Sequence, residues 1–342
     1  MSYKIHIGKE SFSVQELIEI QEFASFSEFA KHAITFLKEW KASDSSLTAQ
    51  TSGSTGNPKQ IKLSKKDMIN SAIATGEFFG FKPKTKHFSP LSAEYIAGKM
   101  MLVRSMHWQT NLHLFPKDAN PLRYCNQHFE FGVMTPHQLS VGLSSEWKDN
   151  ISNIQTLLLG GSPINNELEN NIQTLDCTIY LGYGMTETMS HIALRKLNGQ
   201  GKSDIYHAVN GVHFKKDSRD CLVIHCDHLS MDKIVTNDIV ELMDEKQFRW
   251  KGRADNVINS GGIKLFPEEI ERKLDVIIDR PFYISSEDHK DLGQQIILKI
   301  EGQEIPDLAL QMKKILKKYE IPKKIYYKAS FSYTKTGKII RK

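Results

Sequence analysis

The nine residues Thr51-Ser52-Gly53-Ser54-Thr55-Gly56-Asn57-Pro58-Lys59 can be neither a buried strand nor the interior of a helix. A run so rich in hydroxyls and glycine has to be a loop. Its small residues let backbone N–H groups close in on an anion, and the hydroxyls of Thr51, Ser52, Ser54 and Thr55 add donors. A flexible surface linker has a similar composition. Against a linker stand the Pro58-Lys59 ending and the apolar Ile61 and Leu63 that follow, leading directly to a helix start. A Walker loop differs, because its lysine follows glycine and precedes Ser or Thr.

The pattern around this loop is α/β. Val14, Leu17, Ile18, Phe23, Phe26, Phe29, Ile34, Phe36 and Leu37 recur at helical spacing. Ser64 with Asp67 three residues on reads as a helix N-cap, and Gly80 as that helix's end. Residues 95–104 are a mainly apolar run that holds two cations, Lys99 and Arg104. Cations in such a run ordinarily snorkel to solvent, although a substrate carboxylate could pair with one of them. Gly132–Pro136 and Thr156–Pro163 read as strand ends, the second closed by Gly160-Gly161.

At 342 residues, 40% hydrophobic and 25% charged, the chain has the composition of a soluble globular protein of about two domains. Neither a secretory signal nor an apolar run of bilayer-spanning length is visible, and four irregularly spaced cysteines suit a reducing cytoplasm. Residues 306–342 hold eleven Lys or Arg against two acids, a net of +9 within a total of +5. Such a tail suits a solvated face or a polyanionic small molecule; no nucleic-acid module accompanies it.

Tyr183-Gly184-Met185-Thr186-Glu187-Thr188 follows a strand at 178–182. An aromatic face can stack on adenine, a Thr hydroxyl can bind a phosphate, and a carboxylate suits Mg²⁺, a hard cation with oxygen ligands. Cys221, His225, Cys226 and His228 invite a metal reading, but the spacing is poor and the apolar residues 222–224 suit a strand. Asn237-Asp238 reads as a bend between two strands, with Asn237 tolerating left-handed φ. Then come Gly252-Arg253-Ala254-Asp255 and Ser260-Gly261-Gly262-Ile263-Lys264, before a helix opened by Pro267-Glu268-Glu269. A strand at 295–300, a helix at about 306–319 and a strand at 324–327 are expected next. The chain closes on Thr334-Lys335-Thr336-Gly337-Lys338-Ile339-Ile340-Arg341.

In this order, over residues 47–342, the motifs resemble those of the acyl-adenylate-forming superfamily of CoA ligases, adenylation domains and luciferases. The resemblance implies a large α/β domain, residues 1–254, and a small mobile α+β domain, residues 255–342. It implies nucleotide binding by Thr51, Ser52, Gly53, Ser54, Thr55, Gly56, Lys59, Gly161, Tyr183, Asp238 and Arg253. Asp238 would hold the ribose and Glu187 the Mg²⁺, with Thr186 beside it on the α-phosphate. Lys338 would hold the reacting carboxylate, Asp255 would be the hinge, and Gly261-Gly262 would lie on a strand meeting acyl-adenylate and CoA. Tyr95, standing near the family's usual His, would line the acyl pocket with Lys99, Arg104 and Gly160.

The superfamily commonly has well over a hundred residues before the phosphate loop, whereas here there are fifty, so an N-terminal subdomain is expected to be missing or reduced. Short chains of this kind look most like o-succinylbenzoate–CoA ligases of menaquinone biosynthesis, with ATP, Mg²⁺ and coenzyme A as cofactors and co-substrates. A stand-alone aryl-acid adenylation enzyme that loads a carrier protein is the alternative within the class. A non-catalytic adenylate-binding protein is the alternative outside it. Oligomeric state is not encoded in these motifs.

Overall fold

A computed structural model describes residues 3–22, 26–50, 60–333 and 339–341. Residues 51–59, expected to bind the nucleotide, and Lys338, expected to hold the reacting carboxylate, lie outside the described residues. Two compact units emerge: residues 1–164, 171–213 and 225–234 form the first, and residues 165–170, 214–224 and 235–342 the second.

The first unit is built on parallel strands. In spatial order they are Thr178–Gly184, Ile154–Leu159, Phe129–Met134, Lys86–Ser89, Asn111–Leu114 and Ile5–Ile7. Their apolar runs are explained by burial on both faces: Leu157, Ile179 and Phe129 are inaccessible to water. The chain passes from Lys86–Ser89 to Asn111–Leu114 on one side, then crosses to Phe129–Met134 on the other. That reversal makes a topological switch point, where the carboxyl ends of strands leave a crevice suited to ligands. Antiparallel His191–Lys196 continues the sheet beside Thr178–Gly184.

Strands Ser46–Gln50 and Gln60–Ser64 form an antiparallel hairpin whose connection is the 51–59 segment. The helix Lys65–Phe79 follows at once. Ser64 Oγ accepts from the Asp67 amide at 3.3 Å, and Gly80 closes the helix in the left-handed conformation, φ 66°. Helix Ile96–Trp108 packs beside it, Trp108 Nε1 donating to Ala72 O at 2.9 Å. Helix Glu28–Lys41 supplies Phe29, Ile34, Phe36 and Leu37 to the core.

The second unit contains most of a strand meander, with Ile234–Asp244 and Gln247–Arg253 antiparallel. Phe214 and Phe248 meet edge-on beneath it, 4.9 Å apart. The expected bend at Asn237-Asp238 is absent: one strand runs through both residues, and Asn237 is not at positive φ. Pairing along Gln247–Arg253 overrides the turn preference of an isolated Asn-Asp pair.

A second sheet of this unit orders Ile263–Leu265, Ile258–Ser260, Gly293–Glu301 and Phe282–His289, with Lys324–Lys328 parallel to Gly293–Glu301. Helices Pro267–Leu274 and Leu308–Ile315 contribute Ile270, Leu274, Leu308 and Met312 to a core with Ile284, Leu298 and Ile300. The last helix is shorter than its sequence spacing predicts. Gly261-Gly262 is a two-residue hairpin turn, not part of a strand: Ser260 pairs with Ile263, and both glycines have positive φ, 56° and 82°. Two consecutive left-handed residues are what a tight hairpin with the native twist demands.

Candidate active site

Glu187 is carried on the single turn Thr186–Thr188, just beyond the carboxyl end of Thr178–Gly184. Gly184 makes that turn possible. A Cβ there would sit 2.2 Å from Ser190 O, so a side chain would push the returning strand away. Thr188 Oγ1 ties the turn together, accepting from the Met185 amide at 2.9 Å and donating to Ser190 O at 2.7 Å. Met189 is held at φ 63°, ψ −41°, a strained conformation for a residue with a side chain. Among the described residues, the half-buried Glu187 has no hydrogen-bond or ion-pair partner. A carboxylate so placed could serve as a hard oxygen ligand for a divalent cation.

Beneath the turn lies a buried cation. Arg104 is 3% exposed, and its Nη2 donates to Ser190 Oγ at 2.6 Å. Its Nη1 reaches only Met101 Sδ at 3.7 Å, and its Nε has no partner. Burial pulls its pKa down to about 9, and no carboxylate opposes the shift. His191, half-buried, lies 3.4 Å from Ser190 Oγ through Nδ1 and 3.3 Å from Thr75 Oγ1 through Nε2. Desolvation, aided by Arg104, holds its pKa well below the usual imidazole range.

The expectation that Arg104 and Lys99 reach solvent is therefore corrected. The helix Ile96–Trp108 is buried nearly all round, which leaves a snorkelling side chain no route to water. The two cations also face different ways, because five residues separate them by about 140° around the helix. Lys99 Nζ rests 5.4 Å from the Phe36 ring centre, and burial lowers its pKa against the opposing pull of Glu39. Tyr95 is the exposed residue at the helix's start.

Gly160 and Gly161 follow the strand Ile154–Leu159, one strand over from Thr178–Gly184. A Cβ on either would meet nothing within 4 Å, so space lies open above this edge. Tyr183 is half-buried and meets Tyr206 edge-on at 5.8 Å. Gly160, Gly161, Tyr183, Thr186, Glu187, Tyr95, Lys99 and Arg104 thus all belong to the first unit.

Asp238, Arg253 and Asp255 belong to the second. Asp238 and Arg253 are cross-strand partners, and an Arg253 Nη1 lies 3.8 Å from Asp238 Oδ1. Asp238 is 7% exposed and accepts from Trp250 Nε1 at 3.2 Å. Its amide donates to Thr236 Oγ1, which in turn donates to Leu222 O. Arg253 pairs with the exposed Asp255 at 3.1 Å, and Arg219 bonds Asn237 Oδ1 at 3.1 Å. Trp250, Arg219 and Ser190 were not singled out from the sequence. Trp250, two residues from Gly252-Arg253, is the one with a legible signal, since alternation puts it on the same face as Gly252 and next to the motif.

The model of a family described as AMP-binding enzyme matches residues 7–213, which takes in the 51–59 loop and the Tyr183–Thr188 motif. Among curated proteins, the 2-succinylbenzoate--CoA ligase of Staphylococcus epidermidis is 24% identical, over 96% of this chain and 75% of its own length. The protein of the same name from Listeria monocytogenes is 25% identical, over 93% and 73%. Among solved structures, an acyl-CoA synthetase (AMP-forming)/AMP-acid ligase II-like protein from Dyadobacter fermentans is 33% identical, with a TM-score of 0.67 over 96% of this chain and 97% of that one. The o-succinylbenzoate CoA synthetase of Bacillus subtilis, in complex with its acyl-adenylate intermediate, shares the fold at a TM-score of 0.74. Its identity is 19%, over 93% of this chain and 76% of that one.

Proposed function

The chain belongs to the AMP-binding enzyme family, and on that premise we propose that it is an AMP-forming acid–thiol ligase acting on o-succinylbenzoate. What supports this acid is Arg104, a buried guanidinium with an unpartnered Nε and no carboxylate beside it. The substrate carries two carboxylates, so one must stay bound while the other reacts. Burying Arg104 without an anion is costly, and a bound carboxylate would offset that cost. The names of the curated relatives point to the same acid.

In the first half-reaction a carboxylate oxygen attacks the α-phosphorus of ATP, and pyrophosphate leaves with the bridging oxygen. Thr186 would donate to an α-phosphate oxygen, Asp238 would accept from the ribose hydroxyls, and Lys338 would orient the attacking carboxylate. The residues present fit Mg²⁺: Glu187 would hold the ion, whose charge offsets that of the departing pyrophosphate. In the second half-reaction the sulfur of coenzyme A attacks the acyl carbon, AMP departs with the acyl oxygen, and the thiol proton passes to solvent. Residues 255–342 would move about Asp255 between the two steps. Four free, buried cysteines are compatible with work in the cytoplasm.

The test is coenzyme-A-dependent AMP release over a panel of carboxylic acids, with o-succinylbenzoate expected to give the highest kcat/KM. Arg104→Gln should lower that value while sparing benzoate. Faster turnover of simple aryl or short-chain acids by the natural protein overturns the choice of acid. Pyrophosphate exchange without any thioester would identify a carrier-loading enzyme instead. Absence of exchange with every acid would leave an adenylate-binding protein.

A further inference from the structure

Ser190 joins the turn that carries Glu187 to the buried Arg104. Its carbonyl accepts from Thr188 Oγ1 at 2.7 Å and its amide donates to Thr188 O at 2.6 Å, so its backbone is part of the turn. Backbone strain persists only where the surroundings over-determine it, and the strained Met189 lies directly before Ser190. The Ser190 hydroxyl is the only oxygen among the described residues to which the Arg104 guanidinium is hydrogen-bonded.

The protons of this cluster can be placed by elimination. Thr75 Oγ1 has one hydrogen and donates it to Ser71 O at 2.9 Å, an atom that can only accept. In the 3.3 Å contact between Thr75 Oγ1 and His191 Nε2 it is therefore the imidazole that donates. Burial and the Arg104 charge keep that imidazole neutral, and a neutral ring protonated on Nε2 has an acceptor at Nδ1. Ser190 Oγ, 3.4 Å from Nδ1, donates to it. The lone pairs of Ser190 Oγ are then left for Arg104 Nη2 at 2.6 Å and for Ser71 Oγ at 3.4 Å. With the proton on Nδ1 instead, His191 Nε2 and Thr75 Oγ1 would face each other as two acceptors, and the Ser190 hydrogen would be free to turn toward the guanidinium.

We propose that Ser190 is a positioning residue for recognition of the acid: His191 and Thr75 fix the direction of its hydroxyl, and the hydroxyl fixes Arg104. The inference rests on the reading of Arg104 as the group that holds the substrate's second carboxylate. All three residues act through Arg104 rather than on the substrate. A guanidinium held at Nη2 keeps one orientation, so its unpartnered Nε is offered to a carboxylate in one place. Carboxylate binding by a planar fork of donors depends on orientation as well as on distance. Losing the Ser190 acceptor therefore weakens the grip on the second carboxylate and leaves the reacting one untouched.

The experiment compares two acids in pyrophosphate exchange by the full chain: o-succinylbenzoate, and the monomethyl ester that keeps its reacting carboxylate, followed as substrate or as competitive inhibitor. In Ser190→Ala the KM for the diacid should rise about ten-fold, while its kcat and the KM or Ki of the ester hold within about two-fold. Ser190→Thr keeps the hydroxyl and should restore most of the loss. Thr75→Val removes the acceptor of His191 Nε2 and should raise the KM for the diacid by about three-fold. In an Arg104→Gln background, Ser190→Ala should add nothing further. Histidine ¹⁵N shifts of the natural protein at pH 7 should show His191 protonated on Nε2 alone, a measurement that stands even if a buried variant fails to fold. A proton on Nδ1, or equal rises for diacid and ester, would overturn the proposal. So would an unchanged diacid preference in Ser190→Ala when Arg104→Gln loses it, which leaves the reading of Arg104 standing. If Arg104→Gln keeps the preference for the diacid, the reading of Arg104 falls and the role of Ser190 with it.

Discussion

The turn bearing Thr186 and Glu187 and the cluster around Asp238 hold their polar groups by opposite means. The first rests on desolvated groups: a buried Arg104, a half-buried His191 and a strained Met189. The second relies on a strand partner and on ion pairs open to water, Arg253 with Asp255 and Arg219 with Asp217. Exposed pairs of that kind contribute about 0–1 kcal/mol and exchange partners easily. A desolvated arrangement has no such freedom, because removing one partner strands another. A turn with one geometry would suit the proposed metal-holding role of Glu187, and a cluster of exchangeable contacts would suit the proposed rearrangement between half-reactions.

The largest expected effect tests the desolvated side through pH. Burial pulls His87 down to about 3, and His191 is likewise well below its ordinary value. The unfolded chain takes up these protons near pH 6.5 and the folded chain does not. The stability is therefore complete above that pH and is lost as pH falls toward 3. At pH 5 His87 should cost about 2 kcal/mol, and His191 adds to the loss in the same direction. Urea unfolding at pH 7 and pH 5 measures it. A midpoint that does not move between the two would show that these imidazoles are reached by protons in the folded state.

Next in size is the carboxylate itself. Glu187→Gln keeps the shape of the turn and removes the metal's charged ligand. Pyrophosphate exchange should fall on the order of 10²-fold, and the concentration of Mg²⁺ needed should rise. Because Glu187 has no partner among the described residues, the unfolding midpoint should stay where it is. Unchanged turnover and Mg²⁺ dependence would remove Glu187 from the site.

How much of this was legible follows from the range over which each feature is decided. The Ser64 cap, the Gly80 terminator and the Pro267 helix start are local, and they stand where the residues place them. The bend expected at Asn237-Asp238 was decided instead by a strand from residues 247–253. Strand Phe282–His289 gave no clear signal, since Ser285-Ser286-Glu287-Asp288 is polar; its pairing along the whole of Gly293–Glu301 carries it. Arg104 shows the limit most plainly. Its apolar run was readable, but its partner Ser190 is 86 residues away, and no window of sequence contains both.

The smallest effect sharpens the other half of the comparison. Trp250 donates one hydrogen bond to Asp238 Oδ1, at 3.2 Å, from the neighbouring strand. If Asp238 accepts from the ribose, Trp250 sets which way its carboxylate faces. Trp250→Phe removes the donor and keeps an aromatic ring on that strand. One neutral donor to a carboxylate contributes about 1 kcal/mol, equivalent to a rise of about five-fold in the KM for ATP. The kcat should hold, because uniform binding is lost and no group moves at the reacting phosphorus. Exposed neighbours such as Arg253 can re-pair, which keeps the effect small. An unchanged KM would mean that Asp238 is oriented by its Thr236-anchored backbone alone, whereas a fall in kcat would place this strand closer to the chemistry than the ion-paired cluster implies.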